Sequence, residues 1–163
     1  MNVTIRRVTA PEDVKTLAAL ADEIWHQHFT PIIGEQQVNY MLDWFQDEEA
    51  MTRQLQEGMI YQMAYADGEP IGYCGCKPEE DRLFLSKLYV KKAFRSLGVG
   101  RMLFDSACGF GRGKRAVYLT VNKHNDNTIA IYKKMGFAVI DSVVTDIGNG
   151  FVMDDYIMEK SLP

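Results

Sequence analysis

The chemistry of this chain is most concentrated in Arg95-Ser96-Leu97-Gly98-Val99-Gly100-Arg101, which follows the run Leu85-Ser86-Lys87-Leu88-Tyr89-Val90 and precedes an apolar helical pattern. A basic, glycine-punctuated turn that opens a helix presents unpaired backbone N–H groups to an anion, and the helix adds roughly half a positive charge. Gly98 and Gly100 let the backbone approach a diphosphate with no Cβ in the way, while Arg95 and Arg101 add charged donors. The spacing points to a pyrophosphate grip; the bland alternative is a tight turn with solvated arginines. A second segment, Asn127-x-x-Ala130-x-Tyr132-x-x-x-Gly136-Phe137, adds an amide and a phenol within one short helical stretch.

Two familiar phosphate binders do not fit. A dinucleotide fingerprint needs a third glycine where Leu103 stands and an acid where Tyr118-Leu119-Thr120 stands. A P-loop needs Gly-x4-Gly-Lys-Ser/Thr, yet Gly113-Lys114 is followed by Arg115 and Cys108 takes the first glycine position. Cys74-x-Cys76 is a poor metal motif, because two thiolates on one strand face are too few for a closed zinc site. No metal is expected.

These groups need elements to hold them. Val3 to Val8 reads as a strand, and Pro11-Glu12-Asp13 suits the first turn of a helix whose apolar positions are Val14, Leu17, Ala18, Ala21, Ile24, Trp25 and His28. Pro31 and Gly34 are expected to break that pattern, before a second helix carrying Val38, Met41, Leu42 and Phe45 and a third over Glu48 to Glu57. Beyond Met59 the period changes to that of strands. A hairpin turns at Asp67-Gly68-Glu69-Pro70, and a strand follows from Leu83 to Val90. A helix after Gly98 buries Val99, Met102, Leu103, Ser106, Ala107 and Phe110. A strand over Ala116 to Val121, a helix over Asn127 to Met135 and closing strands around 137–144 and 151–158 complete the chain. The economical reading is one domain over 1–163, of α/β class, with a mixed sheet.

The chain has 163 residues, 47% hydrophobic and 25% charged, with three cysteines and a formal net charge of −4, an ordinary globular composition that needs no disulfide to fold. No apolar run approaches the roughly 20 residues of a membrane span, and the first residues lack a secretory core. Odd cysteine usage and the absence of a leader point to a reducing cytoplasm. The negative balance argues against a nucleic-acid partner and suits a cationic small substrate.

The strand ending Leu88-Tyr89-Val90, then Arg-x-x-Gly-x-Gly opening a helix, then Asn127, Ala130, Tyr132 and Gly136-Phe137, together resemble the acetyl-CoA-dependent N-acetyltransferases of the GCN5-related (GNAT) superfamily. Trp25, Pro31 to Gly34, Tyr40 to Leu42 and the ending Phe151 to Lys160 resemble bacterial members that acetylate polyamines. The resemblance implies a central mixed, largely antiparallel sheet of about seven strands flanked by helices, with acetyl-CoA as co-substrate. It implies that backbone groups of Leu88, Tyr89 and Val90 pair with pantetheine, and that the Leu88 N–H lies near the acetyl carbonyl. By the same resemblance Arg95, Ser96, Gly98, Val99, Gly100 and Arg101 hold the pyrophosphate. Asn127 would bond the pantetheine arm, and Tyr132 would serve as general acid at the sulfur.

The acceptor implied is a primary amine attacking directly in a ternary complex: a small polyamine, an amino-bearing metabolite, or a protein N-terminus or lysine. A non-catalytic acyl-CoA-binding module is the reading from another class, and a homodimer is among the assemblies open to it. Many relatives carry a Glu as base where this chain has Phe84. His26, His28, a water chain or a carboxylate are the alternatives, with Glu79, Glu80 and Asp81 read as a solvated turn. Asp43, Asp47, Glu48 and Glu49 read as a solvated helix face able to attract a polycation.

Overall fold

The computed structural model describes all of residues 1–163. β1 (Val3–Arg7) leads into α1 (Pro11–Ile33), whose start is tied by the Asp13 carboxylate accepting from the N–H groups of Thr9 and Ala10 at 3.1 and 3.0 Å. α1 runs past the expected break. Pro31 falls in its last turn without ending it there, and the helix stops at Gly34, whose φ of 86° few other residues adopt. α2 (Glu35–Met41) continues into a π-helical turn, Leu42–Gln46, and α3 (Glu48–Gln56) is capped by the Asp47 side chain accepting from Ala50 N–H at 2.8 Å.

β2 (Ile60–Ala66) and β3 (Glu69–Pro78) form the expected hairpin, with Asp67 and Gly68 at φ 51° and 87° in a turn whose twist suits the strands. β4 (Arg82–Val90), α4 (Val99–Cys108), β5 (Ala116–Asn122), α5 (Asp126–Lys134), β6 (Ala138–Gly148) and β7 (Phe151–Ser161) follow. The seven-stranded sheet runs β1-β2-β3-β4-β5-β7-β6, and β4·β5 is its parallel pair. The architecture is the mixed, largely antiparallel α/β sheet that the sequence implied.

Each face is buried under helices. α4 and α5 press Val99, Leu103, Phe104, Ala107 and Ile129 onto Leu83, Leu85, Val117, Leu119 and Met158. On the opposite face α1 and α3 press Val14, Leu17, Leu20, Ile24 and Met51 onto Tyr61, Met63 and Tyr73.

Two irregularities in β4 create the site. β4 and β5 pair only at Arg82↔Ala116, Leu83↔Val117 and Phe84↔Tyr118, and beyond Phe84 they part. Against β3, the register jumps from Cys76↔Leu85 to Gly75↔Lys87, so Ser86 is an unpaired bulge residue. A one-residue insertion reverses the alternation of side chains. Leu83 and Leu85 pack on the α4 side; after the bulge Leu88 and Val90 take that side, while Tyr89 packs on the α1 side and Lys87 reaches Tyr61.

Candidate active site

Where β4 and β5 part, a cavity of about 410 Å³ opens, lined from α1, β4, β5, α5 and β7. Backbone N–H groups alternate sides along a strand. The Lys91 N–H bonds Ile71 O of β3 at 2.8 Å, so the Tyr89 N–H also points to β3, and those of Leu88 and Val90 point into the gap. Of the expected set of three, Leu88 and Val90 aim their backbone N–H groups into the gap, whereas Tyr89's backbone pairs with β3. Tyr89 contributes its ring instead, packed edge-on at 5.7 Å from Trp25 and 5.6 Å from Phe29.

At the mouth of the gap, the first α4 bond is Met102 N–H to Gly98 O at 3.0 Å, and no backbone N–H from Ser96 to Arg101 has a carbonyl partner. Gly98 has φ 83° and Ser96 φ 65°, a left-handed conformation that aims these groups outward together. A Cβ on Gly98 would meet nothing within 4 Å, so that face is open to a ligand. Arg95 lines the cavity, with its Nε donating to Val90 O at 3.1 Å. Arg101 offers its backbone N–H, and its Nε donates to Asp105 one helical turn on, at 3.1 Å, which leaves the rest of an exposed guanidinium free.

Tyr132 and Asn127 both line the cavity from α5. Tyr132 is buried, with its ring 5.2 Å from Phe137, and its hydroxyl has no protein partner; burial pushes its pKa up, so the phenol stays protonated. His28 also lines the cavity, yet its Nε2 receives a bond from Asn125 Nδ2 at 3.1 Å. Burial, then Arg95, lowers its pKa. A neutral ring whose free lone pair is already taken ties α1 to the start of α5 and is not a free base. His26 clamps α1 to α2 through Asp22 O at 2.8 Å and Asn39 Oδ1 at 2.7 Å.

Phe84 stacks on Tyr118 at 5.0 Å, and the Tyr118 hydroxyl donates to Glu79 at 2.7 Å, so Glu79 belongs to a packed pair and not to a wholly solvated turn. Cys74 and Cys76 are buried core thiols; burial holds the Cys76 pKa up at about 12.

Sequence reasoning missed two cavity groups. Lys87 is buried with its Nζ on Tyr61 Oη and Gln54 Oε1, and burial lowers its pKa to about 7. Asp155 on β7 is 5% exposed and lines the cavity. The available signal was an acid pair, Asp154-Asp155, within the otherwise apolar run Phe151 to Met158.

A parallel pair split over a bulged strand, with a free N–H cradle at its mouth and an unpartnered phenol within, can hold an extended arm between its strands with a phosphate at its end. The chain belongs to the acetyltransferase (GNAT) family, whose model matches residues 17–137. It is 26% identical to a spermidine N(1)-acetyltransferase of Thermoplasma acidophilum, covering 94% of this chain and 97% of that protein. A crystal structure of PaiA N-acetyltransferase from Thermoplasma acidophilum in complex with coenzyme A superposes with a TM-score of 0.83 at 26% identity, covering 99% of this chain and 100% of that one. A GCN5-related N-acetyltransferase structure from Rhodopseudomonas palustris does so at 0.82 with 22% identity, covering 99% and 97%. The activity is therefore acetyl-CoA-dependent acetylation of an amine. No helix is long and apolar enough to cross a membrane.

Proposed function

We propose that the protein transfers acetyl from acetyl-CoA to a primary amine of a small polyamine. The carrying observation is that the free Leu88 N–H and the unpartnered Tyr132 hydroxyl open onto the same gap between β4 and β5. In this reading the backbone from Ser96 to Arg101, with Arg95, holds the pyrophosphate. Leu88 and Val90 pair with the pantetheine arm as an added strand would, and Asn127 bonds it from α5. The Leu88 N–H stabilises charge on the acetyl oxygen, and Tyr132 donates to the leaving sulfur. Holding amine and thioester together supplies much of the acceleration.

The polyamine acceptor draws support from the net charge of −4 and from the full-length likeness to a protein named for spermidine. Three unpaired cysteines fit work in a reducing cytoplasm.

The test is thiol release from acetyl-CoA against spermidine, spermine, an amino sugar, a lysine peptide and a peptide with a free N-terminus. Spermidine or spermine is expected to give the highest kcat/KM. Tight CoA binding with no acceptor-dependent thiol from any amine would instead support a binding module. Tyr132→Phe is expected to lower kcat about 100-fold while leaving CoA affinity within about twofold; undiminished kcat removes the acid assignment.

A further inference from the structure

We propose that Asp155 receives the acceptor's ammonium group and takes its proton. This rests on the acetyl-transfer reading above, and it supplies the base that Phe84 does not.

Asp155 lies on β7 opposite Asn122, the last residue of β5, at the open end of the gap. A carboxylate so buried is ordinarily ringed by donors or paired with a cation. Asp155 has neither. Lys123, beyond β5, forms an ion pair with the neighbouring Asp154 at 2.7 Å. Lys87 is held by Tyr61 and Gln54, and the Arg95 Nε is on Val90 O. The groups around Asp155 are Asp154 on its own strand, Lys123 beyond β5 and Tyr89 on β4, with His28 of α1 and Tyr132 of α5 lining the same cavity. Burial, reinforced by Asp154 and opposed by Lys123, raises its pKa to about 6.

An ammonium satisfies this carboxylate, and the rings of Trp25, Phe29 and Tyr89 in the same cavity wall suit a cation's approach. The proton bookkeeping closes. Asp155 takes one proton from R-NH3+, freeing the lone pair. The nitrogen bonds to the acetyl carbon, and the carbon–sulfur bond breaks. The sulfur receives the Tyr132 proton, the nitrogen's surplus proton restores the phenol, and Asp155 releases its proton to water.

The test is Asp155→Asn, with the wild type, assayed for thiol release across pH. In the wild type, kcat/KM should rise through an acid limb near pH 6 as Asp155 ionises. In Asp155→Asn that limb should vanish and kcat/KM should fall about 100-fold, with the Kd for CoA by calorimetry within about twofold. The loss should shrink for acceptor amines of lower pKa, a larger fraction of which arrives neutral, and Asp155→Glu should restore part of it. A structural role would move none of these selectively.

Asp155→Asn activity within about threefold of wild type overturns the proposal, as does a change confined to KM. If the variant does not fold, the wild-type profile decides: the limb supports the proposal, and a flat profile through about pH 5–7 overturns it. Failure of the wild type to release thiol with any amine defeats the acetyl-transfer reading itself, whereas an active Asp155→Asn defeats this assignment alone.

Discussion

Lys87, with Tyr61 and Gln54, on the β4 side of the cleft and Asp155 and Tyr132 on the β5 side are polar groups at one cavity, yet of these the first set alone is bonded within the protein. The Tyr61 hydroxyl donates to Gln54 Oε1 at 2.5 Å, and Lys87 Nζ donates to both. Beside them Trp25 Nε1 donates to Tyr73 Oη at 3.0 Å, and Tyr73 Oη donates to Gln46 Oε1 at 3.2 Å. These bonds tie β2, β3 and β4 to α1 and to the helical arm around α3. On the other wall, the Tyr132 hydroxyl and the Asp155 carboxylate face the cavity without a protein partner. A polar group left open to the cleft without a protein partner forgoes bonds that would repay its partial desolvation, so it persists where a ligand uses it. One wall holds the cleft's shape, and the other is left for chemistry.

Lys87 gives the largest expected effect, because the first wall satisfies its hydrogen bonds without supplying a counter-charge. Burial lowers its pKa to about 7 from an ordinary value near 10.5. Between those values the unfolded chain binds more protons, so stability should rise with pH across that window. Lys87→Met, similar in volume, should stabilise the protein at pH 7 by on the order of a few kcal/mol and flatten the pH dependence of urea midpoints between about pH 7 and 10. A destabilised Lys87→Met would mean that the ammonium is worth more to its two acceptors than its burial costs.

Asp155 should behave with the opposite sign in pH. Its folded pKa of about 6 exceeds the ordinary 3.8, so the folded chain binds more protons between them and stability is lost as pH rises through that range. Asp155→Asn should therefore melt higher than wild type at pH 7, by roughly 1–2 kcal/mol once screening by water in the open cleft is allowed for. Higher stability with lower activity is the signature of a group kept for function. A lower melting temperature would place Asp155 with the partnered wall.

What the sequence made legible was local. The free cradle from Ser96 to Arg101 depends on glycine conformation and a helix start, and the Asp67-Gly68 hairpin depends on two left-handed residues; both are encoded within a few positions. The bulge at Ser86 depends on register against β3, and by reversing side-chain alternation it buries Lys87 and turns Tyr89 from backbone to ring. Alternation read from β4 alone has no access to that. His28 stood among the candidate bases because its partner, Asn125, lies 97 residues away. Asp155 gains its meaning from the splitting of β4 from β5, which β7 does not encode.

His28 and Asn125 provide the smallest effect and the sharpest check on which wall a cavity residue belongs to. Their bond joins α1 to the start of α5, placing them with the partnered set although both line the cavity. Asn125→Ala should cost about 1 kcal/mol, a fall in Tm of roughly 2–4 °C for a chain of this size, with kcat within about threefold. Burial lowers the folded His28 pKa beneath 6.5, so the unfolded chain takes up protons first and stability is lost as pH falls through that value. His28→Gln should remove that acid sensitivity in thermal melts. A hundredfold fall in kcat for Asn125→Ala at unchanged Tm would instead identify His28 as the working base, moving it to the wall where Asp155 now stands and leaving the buried carboxylate to bind the ammonium alone.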